Sequence, residues 1–168
     1  MVIYVSGGVR SGKSAYAQQR AQELTQEPVY IATAKIWDED FRQRVKRHQD
    51  DRGQEWTNYE VYRDLHLLPL EGRTVVIDCV TLWLTNLFMD HEYDIHAALA
   101  DFKQEIDQLT ALNATFICIS NELGMGMHAE TEVGRKFADL QGWANQYVAA
   151  KAKEAIFMVS GLPLFLKK

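Results

Sequence analysis

The sequence predicts an α/β fold with a mostly parallel sheet that carries helices on both faces. Short apolar runs rich in β-branched residues alternate along the chain with longer segments of helical pattern. The runs are apolar at successive positions, which is typical of strands buried on both faces of a parallel sheet. The chain has 168 residues, and domains most often contain about 100–150 residues. We therefore expect a single domain over residues 1–168.

Five strands and five helices are expected in order along the chain. The β-branched and aromatic runs predict strands, and the Ala-rich or charged segments with helical spacing predict helices. The expected strands are residues 2–6, 29–34, 74–78, 115–120 and 155–160. The expected helices are residues 15–24, 38–52, 79–89, 94–112 and 130–153.

Local signals support these boundaries. Asp38 and Asp94 are placed to cap two of the helices. Gly72 marks the turn into the third strand, and Gly161 with Pro163 follows the last clear strand. A mixed aromatic and polar segment near residues 56–62 indicates at most a short extended piece.

A phosphate-binding loop, residues 7–14, lies between the first strand and the first helix. Its glycines, Gly7, Gly8 and Gly12, allow the backbone N–H groups to wrap around an anion at a helix N-terminus. Lys13 is expected to reach the β and γ phosphates of a nucleotide, and the Ser14 hydroxyl is expected to ligate Mg²⁺. The loop therefore predicts the phosphate-loop NTPase variant of the α/β fold. The remaining loop residues, Val9, Arg10 and Ser11, are expected to contact nucleotide as well.

Composition favours a small-molecule partner over nucleic acid. The chain carries 18 basic and 23 acidic residues, a formal net charge of −5, and a nucleic-acid footprint is usually basic. Cys79 and Cys118, the two cysteines, lie in apolar runs, which indicates core positions and a reducing compartment. No apolar run approaches the ~20 residues of a membrane span, so we expect a cytoplasmic protein.

Further candidate site residues follow the other strands. On the helix expected over 38–52, Arg44, His48 and Arg52 are spaced i, i+4, i+8 and share one face. That face has two interpretations, a phosphate-binding face centred on a histidine or a solvated charged surface. Asp78 ends a buried strand, where a Mg²⁺-associated carboxylate of a phosphate-loop enzyme is expected. Glu122 follows another strand, either in the site or as a cap of the next turn.

These residues are expected to share one site, because ligands of parallel sheets bind at the carboxyl ends of the strands. Met125 and Met127, in the glycine-containing loop after Glu122, are expected to provide apolar packing. The residues alone leave three functions open. They are a bifunctional transferase that uses His48, a plain phosphate-loop kinase for another small alcohol, and a non-catalytic GTP-binding module.

The order of motifs resembles one enzyme family over essentially the whole chain, the bifunctional adenosylcobinamide kinase / adenosylcobinamide-phosphate guanylyltransferases of cobalamin biosynthesis. The segments that carry the resemblance are Gly-Gly-Val-Arg-Ser-Gly-Lys-Ser at 7–14, Tyr-Ile-Ala-Thr-Ala at 30–34, Arg44-Val45-x-x-His48-x-x-x-Arg52, Asp-Cys-Val-Thr-Leu-Trp at 78–83, Asn86-Leu87, Asn-Glu-Leu-Gly-Met-Gly at 121–126, Gly142-x-x-Asn145-Gln146 and Val-Ser-Gly-Leu-Pro at 159–163.

The resemblance implies two reactions in one chain. A nucleoside triphosphate, ATP or GTP, phosphorylates the aminopropanol hydroxyl of adenosylcobinamide, and GTP then transfers GMP first to a histidine and from there to the new phosphate. The family's guanylylated histidine falls on His48. Lys13 and Ser14 take the triphosphate and Mg²⁺ roles, Asp78 stands near the metal, and a homotrimer is implied.

Overall fold

A seven-stranded sheet forms the centre of the computed structural model, which describes residues 1–35 and 53–168. The strands are β1 (Val2–Gly7), β2 (Val29–Ala32), β3 (Thr57–Glu60), β4 (Thr74–Asp78), β5 (Thr115–Asn121), β6 (Glu154–Val159) and β7 (Leu162–Lys167). Their spatial order is β3-β2-β4-β5-β1-β6-β7. Every neighbouring pair is parallel except β6 and β7, which are antiparallel. The predicted α/β fold with a mostly parallel sheet is confirmed.

Four α-helices of the described residues pack on the two faces of this sheet. They are α1 (Lys13–Leu24), α2 (Val80–Asp90), α3 (Ile95–Ala111) and α4 (Glu132–Lys151), and a short 3-10 helix covers Leu65–Leu67. Residues of α2, α3 and α4 join one apolar cluster with side chains of β1, β2, β4 and β5. Residues of α1 join a second cluster on the opposite face. The helix predicted over residues 38–52 lies outside the described residues.

Several local predictions are confirmed in detail. The Asp94 carboxylate accepts hydrogen bonds from the backbone N–H groups of His96 and Ala97, so it caps α3. Cys79 and Cys118 are both buried and neither forms a disulfide. Burial raises the pKa of each thiol to about 12. Both cysteines are therefore core residues and not nucleophiles.

The sequence prediction holds at one edge of the sheet and fails at the other. The extended piece expected near 56–62 is β3, a parallel edge strand that pairs with β2. The prediction that residues 155–160 form the last strand is wrong, because β7 follows through a two-residue turn. Ser160 and Gly161 both have positive φ, 52° and 82°, which suits a tight hairpin. Pro163 is tolerated in β7 because this strand lies at the sheet edge.

Candidate active site

The phosphate-binding loop joins β1 to α1 at the carboxyl edge of the sheet. Gly7 has a φ of 150° and Gly12 a φ of 96°, both in the region that favours glycine. The first turn of α1 begins at Lys13, so the last two residues of the loop already belong to the helix. The backbone N–H groups at a helix start are not used within the helix, and they give this end a positive potential. The loop therefore has the backbone conformation that an anion site needs.

Packing around the loop leaves no room for a Cβ at Gly7 and makes a Cβ at Gly12 tight. A Cβ at Gly7 would lie 2.5 Å from the carbonyl oxygen of Met158 and 2.7 Å from Ser11 Oγ. A Cβ at Gly12 would lie 3.1 Å from Gly161 Cα. The Gly161 N–H also donates to the Ser11 carbonyl at 3.0 Å. The turn between β6 and β7 thus packs against the phosphate-binding loop at Ser11 and Gly12.

Lys13 lies at the centre of the loop and is almost fully buried, with 7% of its surface exposed. Its Nζ donates to the Gly8 carbonyl at 2.5 Å and to Ser11 Oγ at 3.5 Å. Burial lowers the pKa of the ammonium from its ordinary value, and the nearby Cys79 and Asp78 act in the opposite direction. A buried ammonium surrounded by loop backbone is suited to neutralising phosphate oxygens. Residues 10–15 line an open hollow of about 310 Å³ beside it.

Asp78 and Ser14 meet across the sheet edge. Asp78 is the last residue of β4, and Ser14 Oγ donates to its Oδ2 at 3.1 Å. The same oxygen accepts from the phenol of Tyr30 on the neighbouring strand β2 at 2.5 Å. Carboxylate and hydroxyl oxygens are hard ligands of the kind Mg²⁺ prefers. The donor set at Ser14 and Asp78 therefore fits the cation that the motif predicts.

The loop after β5 lies next to the phosphate-binding loop. The Glu122 N–H donates to the Gly7 carbonyl at 3.1 Å, and the Glu122 Oε1 accepts from the Gly124 N–H at 2.7 Å. The turn-capping role of Glu122 is thus present, and its contact with nucleotide stays a prediction. The packing expected of Met125 and Met127 is wrong, because these side chains are 78% and 93% exposed. Both methionines lie beyond the end of β5, in a loop that contains two glycines, and this loop does not pack against the core.

A buried polar network beneath this edge was missed by sequence reasoning. Ser120 Oγ donates to Asn145 Oδ1 at 2.6 Å, and Gln141 Nε2 donates to both Ser120 Oγ and Asn145 Oδ1 at 3.0 and 2.8 Å. Asn145 Nδ2 in turn donates to the Asn121 carbonyl at 3.1 Å. The network fastens α4 to the end of β5. The sequence signals were the i, i+4 spacing of two amides, Gln141 and Asn145, and the place of Asn145 in a segment that carries the family resemblance.

The structure brings together part of the predicted site. The carboxyl edge of the sheet holds the phosphate-binding loop, Asp78 and Glu122. Within the loop, the Val9 side chain is 82% exposed and Arg10 has a positive φ of 55°. Arg44, His48 and Arg52 lie outside the described residues, so their place relative to that edge stays a prediction.

Among residues 1–35 and 53–168, no helix has both the length and the apolar character needed to cross a membrane.

Comparison with known proteins gives a consistent result over nearly the full length. Residues 3–166 match the family model described as cobinamide kinase / cobinamide phosphate guanyltransferase. The chain is 34% identical to the bifunctional adenosylcobalamin biosynthesis protein CobU of Escherichia coli, over 99% of this chain and 100% of that protein. It is 34% identical to the corresponding CobP of Pseudomonas aeruginosa, over 97% and 95%, and 32% identical to the CobU of Salmonella typhimurium, over 99% and 100%.

Proposed function

The chain belongs to the cobinamide kinase / cobinamide phosphate guanyltransferase family, and we propose that it catalyses both reactions that this name describes. In the first reaction, the γ-phosphoryl group of ATP or GTP passes to the aminopropanol hydroxyl of adenosylcobinamide. In the second, GTP supplies GMP to adenosylcobinamide phosphate, which yields adenosylcobinamide-GDP and pyrophosphate.

The observation that carries this proposal is the contact between Ser14 and Asp78 beside the buried Lys13. A phosphate-binding loop with these three groups can hold a triphosphate and its cation together, which phosphoryl transfer requires. When bound, Mg²⁺ would supply positive charge that offsets the negative charge of the phosphate oxygens, and Ser14 and Asp78 are the residues that would hold it. Lys13 places a positive charge where negative charge develops on the phosphoryl oxygens.

Nucleotide contacts are assigned to the whole loop and to three residues beyond it. The backbone from Gly7 to Ser14 surrounds the phosphates, and Glu122 stands at the neighbouring strand end, tied to Gly7 through its N–H. Arg44 and Arg52 would draw the phosphates toward the histidine between them. These assignments account for nucleotide binding without any group from a second domain, and we treat residues 1–168 as one nucleotide-binding domain.

Guanylyl transfer is assigned to His48. A ring nitrogen of the neutral imidazole attacks the α-phosphorus of GTP, the bond to the β-phosphate oxygen breaks, and pyrophosphate leaves with that electron pair. The phosphate of adenosylcobinamide phosphate then attacks the guanylyl-histidine, so the imidazole is released and the diphosphate bond forms. Arg44 and Arg52, spaced i−4 and i+4 from His48, are the cations available to the phosphates in both steps.

The proposal extends to the location, the partners and the oligomeric state of the protein. We assign the protein to the cytoplasm, with small-molecule substrates and no nucleic-acid partner, and we propose a homotrimer. An assembly is supported by the apolar side chains of β7, which are 44–71% exposed at Leu162, Leu164, Phe165 and Leu166. Sedimentation velocity tests this part: a trimer mass supports it, and a monomer at micromolar concentration contradicts it.

Mass spectrometry of the corrinoid products tests the two reactions. The purified protein is incubated with adenosylcobinamide, Mg²⁺ and either ATP alone or ATP with GTP, in parallel with Lys13→Met. The expected products are the phosphate with ATP alone and the GDP adduct when GTP is present, with neither formed by Lys13→Met. Phosphate without the GDP adduct would identify a plain kinase, and no corrinoid product at all would contradict the proposal.

A further inference from the structure

The Asp78 carboxylate is held by two hydroxyl groups from different parts of the molecule. Ser14 Oγ donates to Oδ2 from the phosphate-binding loop at 3.1 Å, and the Tyr30 phenol donates to the same oxygen from within the sheet at 2.5 Å. Neither of these bonds uses Oδ1. Ser14 belongs to the phosphate-binding motif, whereas Tyr30 begins a segment that carries the family resemblance but was given no role at the site.

The strand register explains how the phenol reaches Asp78. β2 and β4 are parallel neighbours in which Tyr30 pairs with Val76 and Ala32 pairs with Asp78. Residues two apart on a strand point to the same face, so Tyr30 and Asp78 share a face and lie two residues apart along it. A tyrosine side chain spans that offset, and a shorter polar side chain at position 30 would not.

The Tyr30 ring is a rigid support because it is buried. Only 4% of its surface is exposed, and it packs edge-to-face against Trp56 with ring centroids 6.1 Å apart and planes at 77°. Ala17, Val76 and Cys79 belong to the same apolar cluster. Asp78 by contrast lies at a strand end and is half-buried. The fixed ring therefore sets the direction of the less constrained carboxylate.

We propose that Tyr30 is a positioning residue that holds the Asp78 carboxylate toward Ser14 and so tunes divalent-cation binding at the phosphate-binding loop. The inference rests on the proposed function, because it concerns the cation that the kinase reaction uses. Hydrogen bonds to a cation's carboxylate ligand commonly change metal affinity by about 10–100-fold when they are removed. We expect a loss of about tenfold, since Mg²⁺ keeps several waters and relies on few protein ligands.

A purely structural role for the phenol makes a different prediction. A buried hydroxyl needs a hydrogen-bond acceptor, and Asp78 could serve only that need. Removal of the hydroxyl would then change the stability of the fold and leave cation affinity as it was. The two roles are therefore separated by measuring the two quantities on the same variants.

Tyr30→Phe is the test variant, because it removes the hydroxyl and keeps the ring. Tyr4→Phe is its matched control. Tyr4 is also 4% exposed, and its phenol interacts with Ser6 and Ser120, away from Asp78. Mn²⁺ binding is titrated by electron paramagnetic resonance in the presence of a non-hydrolysable GTP analogue. Affinity for the same analogue is measured in EDTA, and unfolding is followed in urea.

The expected result is a Mn²⁺ Kd raised about tenfold in Tyr30→Phe, with unchanged analogue affinity in EDTA and no change of Mn²⁺ affinity in Tyr4→Phe. Asp78→Asn adds a second test. If Tyr30 acts through Asp78, then Tyr30→Phe added to Asp78→Asn raises the Mn²⁺ Kd no further.

Three outcomes overturn the proposal. Parent-like Mn²⁺ affinity in Tyr30→Phe would show that the phenol is structural and would leave the proposed function intact. Equal loss in Tyr4→Phe would show a general effect of a buried hydroxyl. A parent protein that binds the analogue but no Mn²⁺ would contradict both this inference and the cation site of the proposed function.

Discussion

Replacing Gly7 by alanine tests whether backbone packing shapes the phosphate-binding loop. The added Cβ would lie 2.5 Å from the Met158 carbonyl oxygen, closer than the 3.0 Å that real Cβ atoms keep, and Gly7 has a φ of +150°. Overpacking costs about 1–3 kcal/mol, and a strained backbone conformation costs about 1–3 kcal/mol. The free energy of unfolding should therefore fall by about 2–6 kcal/mol in Gly7→Ala, a large share of the about 5–15 kcal/mol of an ordinary domain.

Gly8→Ala is the matched control for stability. A Cβ at Gly8 meets nothing within 4 Å, so the free energy of unfolding should change by less than about 0.5 kcal/mol. Urea unfolding followed by tryptophan fluorescence measures both variants. With a slope of about 2 kcal/mol per molar urea, a loss of about 3 kcal/mol moves the midpoint by about 1.5 M. Equal midpoints for the two variants would refute the packing argument.

Three further substitutions test other parts of the structure by urea unfolding. Asn145→Ala should lower the free energy of unfolding by about 2–3 kcal/mol, because it leaves buried polar partners unpaired. A decrease below about 0.5 kcal/mol would contradict a stabilising role for the network. Gly142→Ala should raise the free energy of unfolding by about 0.5–1 kcal/mol, because alanine is favoured over glycine inside a helix and a Cβ at this position of α4 meets nothing within 4 Å. A lower free energy of unfolding in this variant would contradict the prediction. Hydrogen bonds from Lys151 and Tyr147 lower the pKa of Asp107 in the folded protein. The contribution of Asp107 to folding stability is therefore present above its unfolded-state pKa and is lost as the pH falls through its folded-state pKa. Asp107→Asn should thus be less stable than the parent by under about 1 kcal/mol at pH 7 and equal to it in acid, and a pH-independent difference would contradict this.

Local sequence signals predicted the five inner strands of the sheet well, which are β2, β4, β5, β1 and β6. Strands such as β4 and β5 are continuous apolar runs, and such runs are used where helices cover both faces. The phosphate-binding loop was recognisable because its glycines are required by backbone geometry at Gly7 and Gly12. Asp94 was recognisable as a cap because its chemistry acts only a few residues away.

Features that depend on tertiary contacts were not predictable. β7 exposes all six of its residues, so it lacks the burial pattern that marks a strand, and only its pairing with β6 defines it. The exposure of Met125 and Met127 is set by where the loop leaves β5. The bond from Tyr30 to Asp78 joins residues 48 positions apart, and it depends on the neighbouring placement of β2 and β4.

Covalent labelling with GTP tests the central claim most directly, that guanylyl transfer passes through His48. The purified protein and His48→Ala are incubated with Mg²⁺ and GTP radiolabelled at the α-phosphate, and the protein is then tested for bound label that is lost in acid and kept in base. We expect such label on the parent and none on His48→Ala. A parent that binds GTP without becoming labelled, or a variant labelled like the parent, would contradict the claim.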